Sequence, residues 1–385
     1  MKIVDIERFP ITLRRAGPDS IDSNNLPVQT IVVRVRTESG LSGLGEAAAS
    51  LSEDTRTLST LLSWLKVYEA AIVGADAFNI NALHQFMDRA SGQHPPGCQA
   101  ARAAIDMAVH DLIGKARGCP VHEILGGAYR TEMEVIAKIA GGTVEETAFS
   151  ARSQVRLGYR GLKIGIGSEV LPSAHSTAHL EEKCQRLLAA LEAVGTDISI
   201  DADANQSLGN PAMVSRMFEK VLSKRFYANL ALHQPLHKLD LLGHAALREK
   251  LPVPIVLTES VVSAEAMMQI ERVGAADRIG LSIERVGGLN SAMRIADICE
   301  AGAIGISPTA TSYTGIGVAA LFHLAAAVHD PYPIDAGEYQ IILNAPVTGG
   351  PEMHNGRATL RNAPGLGVEI DDELLHALAA QTNAF

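Results

Sequence analysis

The part of the chain from residue 132 onward alternates short apolar runs with amphipathic stretches, and this alternation limits the possible folds more than any other feature. Eight runs have the length and apolar content of strands: residues 134–140, 161–166, 198–203, 230–233, 255–259, 279–283, 304–307 and 334–336. Seven stretches with helical spacing lie between them. Eight strands separated by seven helices predict a closed parallel α/β barrel rather than an open doubly wound sheet. No Gly-x-Gly-x-x-Gly follows a strand, so a dinucleotide-binding fold has little support.

The flanking parts of the chain have a different pattern. Residues 3–13 and 29–37 alternate apolar and polar side chains, which predicts a small antiparallel sheet, and helical spacing follows it. The last forty residues are rich in Gly and Pro, and we expect them to pack back on the first domain. The sequence thus predicts a first domain over 1–128, a barrel over 129–340 and a returning C-terminal segment over 341–385.

Composition excludes several classes of partner. Of 385 residues, 47% are hydrophobic and 20% charged, which is enough apolar material for a large core. The net charge is −10 and no cluster of Lys and Arg occurs, so we expect neither nucleic acid nor a membrane surface as partner. No signal peptide or membrane-spanning apolar run is evident, and the four cysteines are far apart in sequence. A cytoplasmic protein with free thiols is the resulting expectation.

Polar side chains end three successive predicted strands of the barrel. Asp203 and Asn205 lie on one face at the end of the third strand, and His233 and Glu259 follow at intervals of 30 and 26 residues. Each interval is one βα unit, so these strand ends should be neighbours at the face where barrels carry their chemistry. We therefore predict a divalent metal site formed by Asp203, His233 and Glu259. The alternatives are that Asp203 caps the following helix and that His233 is a neutral histidine that either lies just outside the metal ligands or contacts substrate.

Several motifs, taken in order, resemble the enolase superfamily, in the branch of muconate-lactonising enzyme and mandelate racemase. They are AAIDMAVHDLIGK at 103–115, GYRGLKI at 158–164, DANQS at 203–207, QPL at 234–236, Glu259-Ser260, Gly287-Gly288 and PGLG at 364–367. The resemblance covers nearly the whole chain. It implies a (β/α)7β TIM-like barrel with an α+β capping domain formed by the N-terminal region and the C-terminal segment.

The resemblance also implies a chemistry. Members of this branch abstract a proton alpha to a carboxylate, and magnesium stabilises the resulting enediolate. The expectation is a metal-dependent lyase or isomerase, of dehydratase, cycloisomerase or epimerase type, acting on a small organic acid. Mg²⁺ is the expected cofactor, and we further expect a homo-oligomer.

Departures from the family pattern affect the metal ligands. The third-strand aspartate is present as Asp203, but the fourth-strand glutamate is replaced by His233. The usual fifth-strand Asp-Glu pair reads Thr258-Glu259, so only the glutamate remains. An imidazole in place of a carboxylate removes a negative charge, which weakens magnesium and favours Mn²⁺ or another transition metal.

The acid/base positions depart further. The second-strand Lys-x-Lys motif keeps Lys163 but has Gly165 at its second position, and Ser282 and Thr309 occupy the sixth- and seventh-strand positions. Glycine and an ordinary hydroxyl cannot act as general bases near neutral pH. Either another group has taken over, or the protein is a degenerate family member that binds a carboxylate without the ancestral proton transfer.

Three residues are candidate replacements for the missing bases. Lys163 could act if neighbouring cations lower its pKa, and Lys138, at the end of the first strand, could be the second base or a lysine paired below the site. Glu284 is the third candidate, and its alternative is a solvated loop carboxylate paired with Arg285. We expect substrate contacts from strand ends and loops, namely Asn205, Ser282, Thr309 and Tyr313, and we expect residues 15–27 and 50–55 to set specificity.

Overall fold

The computed structural model describes residues 1–16, 27–50, 56–92, 97–167, 177–223, 227–310, 312–337 and 339–383. Its strands are β1 Ile3–Arg15, β2 Val28–Thr37, β3 Ser42–Ala48, β4 Glu132–Glu134, β5 Ile136–Lys138, β6 Gly161–Gly165, β7 Ser199–Asp203, β8 Leu230–His233, β9 Ile255–Leu257, β10 Arg278–Leu281, β11 Gly305–Pro308, β12 Ile342–Leu343, β13 Val347–Gly349, β14 Glu352–His354, β15 Arg357–Thr359 and β16 Val368–Ile370. Its helices are α1 Leu58–Ile72, α2 Ile80–Ala90, α3 Gln99–Arg117, α4 Val121–Ile124, α5 Val144–Arg156, α6 Thr177–Ala193, α7 Pro211–Leu222, α8 Leu241–Lys250, α9 Ala264–Val273, α10 Ile283–Val286, α11 Leu289–Ala301, α12 Gly315–Ala327 and α13 Asp372–Asn383, with a 3₁₀ turn at Tyr339–Ile341.

A parallel barrel forms the larger part of the molecule. Seven strands pair in the order β11-β10-β9-β8-β7-β6-β5, each parallel to its neighbour. Residues 334 and 335 close the gap between the two outermost strands: the Ile136 amide donates to the Ile334 carbonyl at 2.8 Å, and the Asp335 amide donates to the Pro308 carbonyl at 3.0 Å. The predicted eighth strand is therefore present as a short closing segment, and the prediction of a closed parallel barrel is confirmed.

Local sequence explains why the barrel units form where they do. Helix α5 begins after Thr143, whose hydroxyl accepts from the Glu146 amide at 3.2 Å while the Glu146 carboxylate accepts from the Thr143 amide at 3.0 Å. This reciprocal capping satisfies two amides that the first helical turn leaves unbonded. Several expected strands are shorter than predicted: the first ends at residue 138 and the fifth at 257, and the sixth ends at 281 because residue 283 already lies in helix α10.

The capping domain packs a four-stranded antiparallel sheet, in the order β12-β1-β2-β3, against helix α3. The helix approaches β3 so closely that a Cβ at Gly45 would lie 1.8 Å from the Ala104 carbonyl oxygen. At the other end of the chain, α13 returns to β1, where the rings of Phe9 and His376 meet edge to face at 5.1 Å. The C-terminal return is thus observed, while the domain limits 1–128, 129–340 and 341–385 stay a prediction.

Two buried carboxylates of the capping domain bind helix N-termini of the barrel. Glu46 on β3 accepts from the Thr314 and Gly317 amides at 2.8 and 3.0 Å. Asp106 on α3 accepts from the Leu289 amide at 2.6 Å. A carboxylate at a helix N-terminus satisfies unbonded amides and complements the helix dipole, so these contacts fix the cap over the barrel.

None of the helices in the described parts of the chain is long and apolar enough to cross a membrane. The four cysteines form no disulfide.

Candidate active site

The three predicted metal ligands follow consecutive strands. Asp203 ends β7 and is in register with His233, which ends β8, while Glu259 comes two residues after the end of β9. Their placement at adjacent strand ends is therefore as expected. Their side chains do not converge on a common point as expected, because the described residues contain no group of three His, Cys, Asp or Glu side chains arranged to hold a metal ion.

A lysine bridges two carboxylates at the mouth of the barrel. Lys163 Nζ lies 2.8 Å from Asp203 Oδ2 and 3.1 Å from Asp335 Oδ2. The second oxygen of each carboxylate accepts from a nearby amide, that of Asn205 at 3.1 Å and that of Gly337 at 3.0 Å. Both carboxylates are thus held in place from two sides, and the ammonium sits between them. We call Lys163, Asp203 and Asp335 the mouth cluster.

The charge state of Lys163 differs from the prediction. Burial lowers the pKa of Lys163, but Asp203 and Asp335 outweigh it and raise the pKa above its usual value. Lys138 is paired in register with Lys163, as expected, but its side chain is exposed and the two aspartates set the direction of the change in the Lys163 pKa. The prediction of a lowered lysine pKa is therefore wrong for the free protein, because two close carboxylates stabilise the ammonium more than one neighbouring cation destabilises it.

His233 belongs to a second cluster. Its Nε2 lies 3.0 Å from Asp201 Oδ2 and 3.2 Å from an Arg278 guanidinium nitrogen, and that nitrogen also contacts Asp201 Oδ1 at 2.6 Å. Burial raises the pKa of Asp201, but His233 and Arg278 reverse the effect and hold it well below its usual range. The guanidinium is also stacked 4.4 Å over the Tyr332 ring. We call Asp201, His233 and Arg278 the inner cluster.

Asp201, Asp335 and Arg278 were not assigned a role from the sequence. Asp201 could have been, because it is two residues before Asp203 and so shares its pleat face. Arg278 gave a weaker signal, a single cation preceding the apolar run at 279–283. Asp335 ends the predicted eighth strand, but nothing local connects it with Lys163.

The donors at the three ligand positions do not fit Mg²⁺. One Asp203 oxygen is 2.8 Å from an ammonium, the His233 Nε2 faces Asp201 and Arg278, and Thr258 offers only a neutral hydroxyl. Magnesium requires hard oxygen donors in a compact octahedral arrangement, and of these residues only Glu259 remains as a further carboxylate. The predicted shell of Asp203, His233 and Glu259 is accordingly not assembled, and no step below depends on a metal.

The three positions at which the family pattern has acid/base side chains carry Gly165, Ser282 and Thr309, and the structure shows their surroundings. Gly165 is in register with Asp203 and offers no side chain. Ser282 precedes helix α10 and is 1% exposed, and Thr309 is also buried. Neither hydroxyl presents an open surface in this structure, and the expected substrate contacts from Ser282 and Thr309 stay a prediction.

Glu284 and Tyr313 lie deeper than predicted. Glu284 is fully buried in α10, with an oxygen 4.0 Å from the Arg56 guanidinium, so the alternative of a solvated loop carboxylate is wrong. Tyr313 is 1% exposed; burial, followed by the charges of Glu284 and Glu46, raises its pKa well above the usual value. A direct role of either residue at the mouth is therefore unsupported. For Glu284 the physical reason is that residue 283 begins helix α10, which turns its side chain inward.

Asn205 is the one predicted substrate contact that keeps partial exposure, beside Asp203 at the end of β7. The proposed specificity segments fall largely at 17–26 and 51–55, which are outside the described residues.

Comparison with known proteins identifies the family. Residues 146–374 match the family model described as enolase C-terminal domain-like, and residues 14–126 match the mandelate racemase / muconate lactonizing enzyme N-terminal domain. The chain belongs to the enolase superfamily, in the mandelate racemase and muconate-lactonising branch.

The relatives are enzymes. A hydrophobic dipeptide epimerase from Enterococcus faecalis is 31% identical over 88% of this chain and 90% of its own length. Muconate cycloisomerase 1 from Pseudomonas putida is 26% identical over 94% of each chain. The crystal structure of the E. faecalis dipeptide epimerase with Mg and the dipeptide L-Leu-L-Tyr has a TM-score of 0.85 at 27% identity, covering 96% of this chain and 100% of that one. These relatives support an isomerase or lyase type of chemistry for the chain.

Proposed function

We propose that this protein is an isomerase or lyase that acts at the carbon alpha to a carboxylate of a small organic acid. The observation that carries the proposal is the Lys163 ammonium, fixed 2.8 Å from Asp203 and 3.1 Å from Asp335 at the end of the barrel strands where enzymes of this fold carry their chemistry. Relatives named as epimerases and cycloisomerases support the reaction class.

The roles follow from charge and position. Because Lys163 is an ammonium in the free protein, it can donate hydrogen bonds to the oxygen on which negative charge develops when an alpha proton leaves. To transfer the proton itself, Lys163 must first release its own proton to solvent; the neutral amine then takes the alpha proton, and the ammonium so formed gives that proton back to carbon or to the leaving group. Lys138, its neighbour on β5, is the candidate for a second proton-transfer group.

The absence of side-chain bases at two positions restricts the reaction. Racemisation by 1,1-proton transfer needs a base on each face of the alpha carbon, and Gly165 and Ser282 provide neither. Elimination or isomerisation with one proton-transfer group remains open to the chain. The proposal is therefore a dehydratase- or cycloisomerase-type reaction on a carboxylate ligand, or an epimerisation in which Lys138 supplies the second proton-transfer group, in a cytoplasmic homo-oligomer.

A second candidate function is binding of a carboxylate ligand without turnover. It is favoured by the raised pKa of Lys163, whose two carboxylate partners hold the proton that a base must lose. The two candidates share the ligand class and differ only in proton transfer.

Deuterium incorporation separates them. The protein is incubated in heavy water with a panel of small organic acids and dipeptides, and exchange at the alpha carbon is followed by NMR, with calorimetry of the same ligands. We expect wild-type exchange on at least one ligand and a decrease of about 100-fold or more in Lys163→Met. Lys115→Met is the matched control, because Lys115 also pairs with a buried aspartate, Asp111 at 2.6 Å, but in the capping domain.

Two results would contradict the proposal. If calorimetry detects ligand binding but no exchange occurs, only the binding function is supported. Full exchange by Lys163→Met would show that another group transfers the proton.

A further inference from the structure

We infer that the Lys163 ammonium is the resident cation of this barrel mouth and that the protein takes no divalent metal there. The inference concerns the side chains at the ligand positions and does not depend on turnover.

The first argument is the position of the ammonium. A divalent ion bound by Asp203 would lie about 2.0–2.1 Å from one of the two carboxylate oxygens. Lys163 Nζ already lies 2.8 Å from Oδ2 of the same carboxylate. Asp335 holds the same ammonium at 3.1 Å, so Lys163 cannot withdraw without taking the nearest cation away from a buried carboxylate. Two cations would then share one small, largely buried space, where their repulsion is only weakly screened.

The second argument concerns His233, the residue at the end of the fourth barrel strand. The His233 Nε2 lies between Asp201 and Arg278, and all three side chains are buried. Rotating the imidazole to offer this nitrogen to a metal would leave Asp201 with one partner fewer in an environment that cannot supply water. The imidazole also brings no negative charge to offset that of a dication.

The third argument is the remaining donor set. Thr258 on the fifth strand supplies a neutral hydroxyl where the family pattern has an aspartate, and Asp203 is already neutralised by Lys163. The charge that would attract a dication has thus been removed at residues 233 and 258 and compensated at Asp203, so that of the predicted ligands only Glu259 still contributes a negative charge. An internal ammonium has taken the place of the external ion.

The test uses Mn²⁺ as the probe, because its free form gives an electron paramagnetic resonance signal that disappears on binding. Wild-type protein dialysed against EDTA should leave the free Mn²⁺ signal unchanged up to about 1 mM, the range of the weakest protein sites for hard cations. Lys163→Met removes the cation closest to Asp203 and Asp335, so this variant should bind about one Mn²⁺ and should gain thermal stability when Mn²⁺ is added.

Lys115→Met is again the control, since Asp111 keeps hydrogen bonds from the Leu44 and Leu366 amides and is remote from the barrel mouth. It should show neither Mn²⁺ binding nor stabilisation. Lys163→Gln replaces Lys163→Met if the latter does not fold, and the wild-type titration decides the main question in either case.

Stoichiometric Mn²⁺ binding by the wild type below about 1 mM would overturn the inference. A folded Lys163→Met variant that does not bind Mn²⁺ would overturn the assignment of Lys163 as the group that prevents metal binding.

The exchange assay keeps this inference distinct from the proposed function. Exchange that survives EDTA supports both. Exchange that EDTA abolishes and Mg²⁺ restores supports the proposed reaction and overturns the inference, whereas absence of both exchange and Mn²⁺ binding overturns the reaction alone.

Discussion

The mouth cluster and the inner cluster have the same kinds of side chain but differ in access to solvent. Each joins cations to carboxylates across barrel strands, and Asp203 and Asp201 are only two residues apart on β7. Side chains of the mouth cluster are 8–16% exposed, whereas those of the inner cluster are 5–7% exposed. Two successive residues on the same face of β7 therefore belong to different environments. Asp203 lies where a ligand can approach, whereas Asp201 lies deeper and pairs with side chains of neighbouring strands.

The largest expected effect is on the inner cluster. Arg278→Met leaves the buried Asp201 carboxylate without its closest cation, and we expect a loss of about 3–5 kcal/mol in the free energy of unfolding. Urea denaturation followed by circular dichroism measures it. Arg248→Met is the control, because Arg248 pairs with Asp277 at 2.7 Å on the surface and should cost about 0–1 kcal/mol. Equal losses in the two variants would contradict the structural role of the inner cluster.

Lys163→Met should destabilise the protein less than Arg278→Met does. Its two aspartates are close enough to the mouth to gain water, so we expect about 2–3 kcal/mol in the same denaturation experiment. Exchange at the alpha carbon should be lost in this variant but retained in any Arg278 variant that folds. A loss as large as that of Arg278→Met would mean that the mouth cluster is as closed as the inner one.

A third buried pair consists of two histidines and should respond to pH. His122 and His323 bring their Nδ1 atoms to 3.1 Å where α4 meets α12, and burial, with His122 next, lowers the pKa of His323 to about 3. Between pH 6.5 and this value the unfolded chain binds a proton that the folded chain refuses, so stability is complete above pH 6.5 and is lost as pH falls. We expect a loss of about 2 kcal/mol from this group between pH 8 and pH 5.

His323→Leu removes this contribution. Thermal or urea unfolding of wild type and variant at both pH values gives the difference, which should be smaller in the variant. An identical pH dependence in the two proteins would show that the histidine pair does not control it.

The smallest effect is expected at Lys138. Its side chain is exposed on β5 beside Lys163, so Lys138→Ala should change the free energy of unfolding by no more than about 0.5 kcal/mol. It should nevertheless slow any exchange, since it removes a positive charge next to Asp335. Unchanged exchange would restrict the chemistry to the mouth cluster itself.

The barrel and the order of its strand ends could be predicted from the amino-acid sequence. Apolar periodicity and turn residues are local properties, so the alternation after residue 132 predicted the parallel barrel and placed Asp203, His233 and Glu259 on consecutive strands. The departures at Gly165, Ser282 and Thr258 are also visible without coordinates, because each is a change of residue type within a recognisable motif.

The pairing of charged side chains could not be predicted in the same way. Asp335 is 172 residues from Lys163, and Arg278 is 77 residues from Asp201, so their contacts depend on how the barrel closes and how its strands are staggered. The same closure turned the expected lowering of the Lys163 pKa into an increase, and the short helix α10 buried Glu284. Pairing energies depend on distances across the fold, and periodicity along the chain carries no information about them.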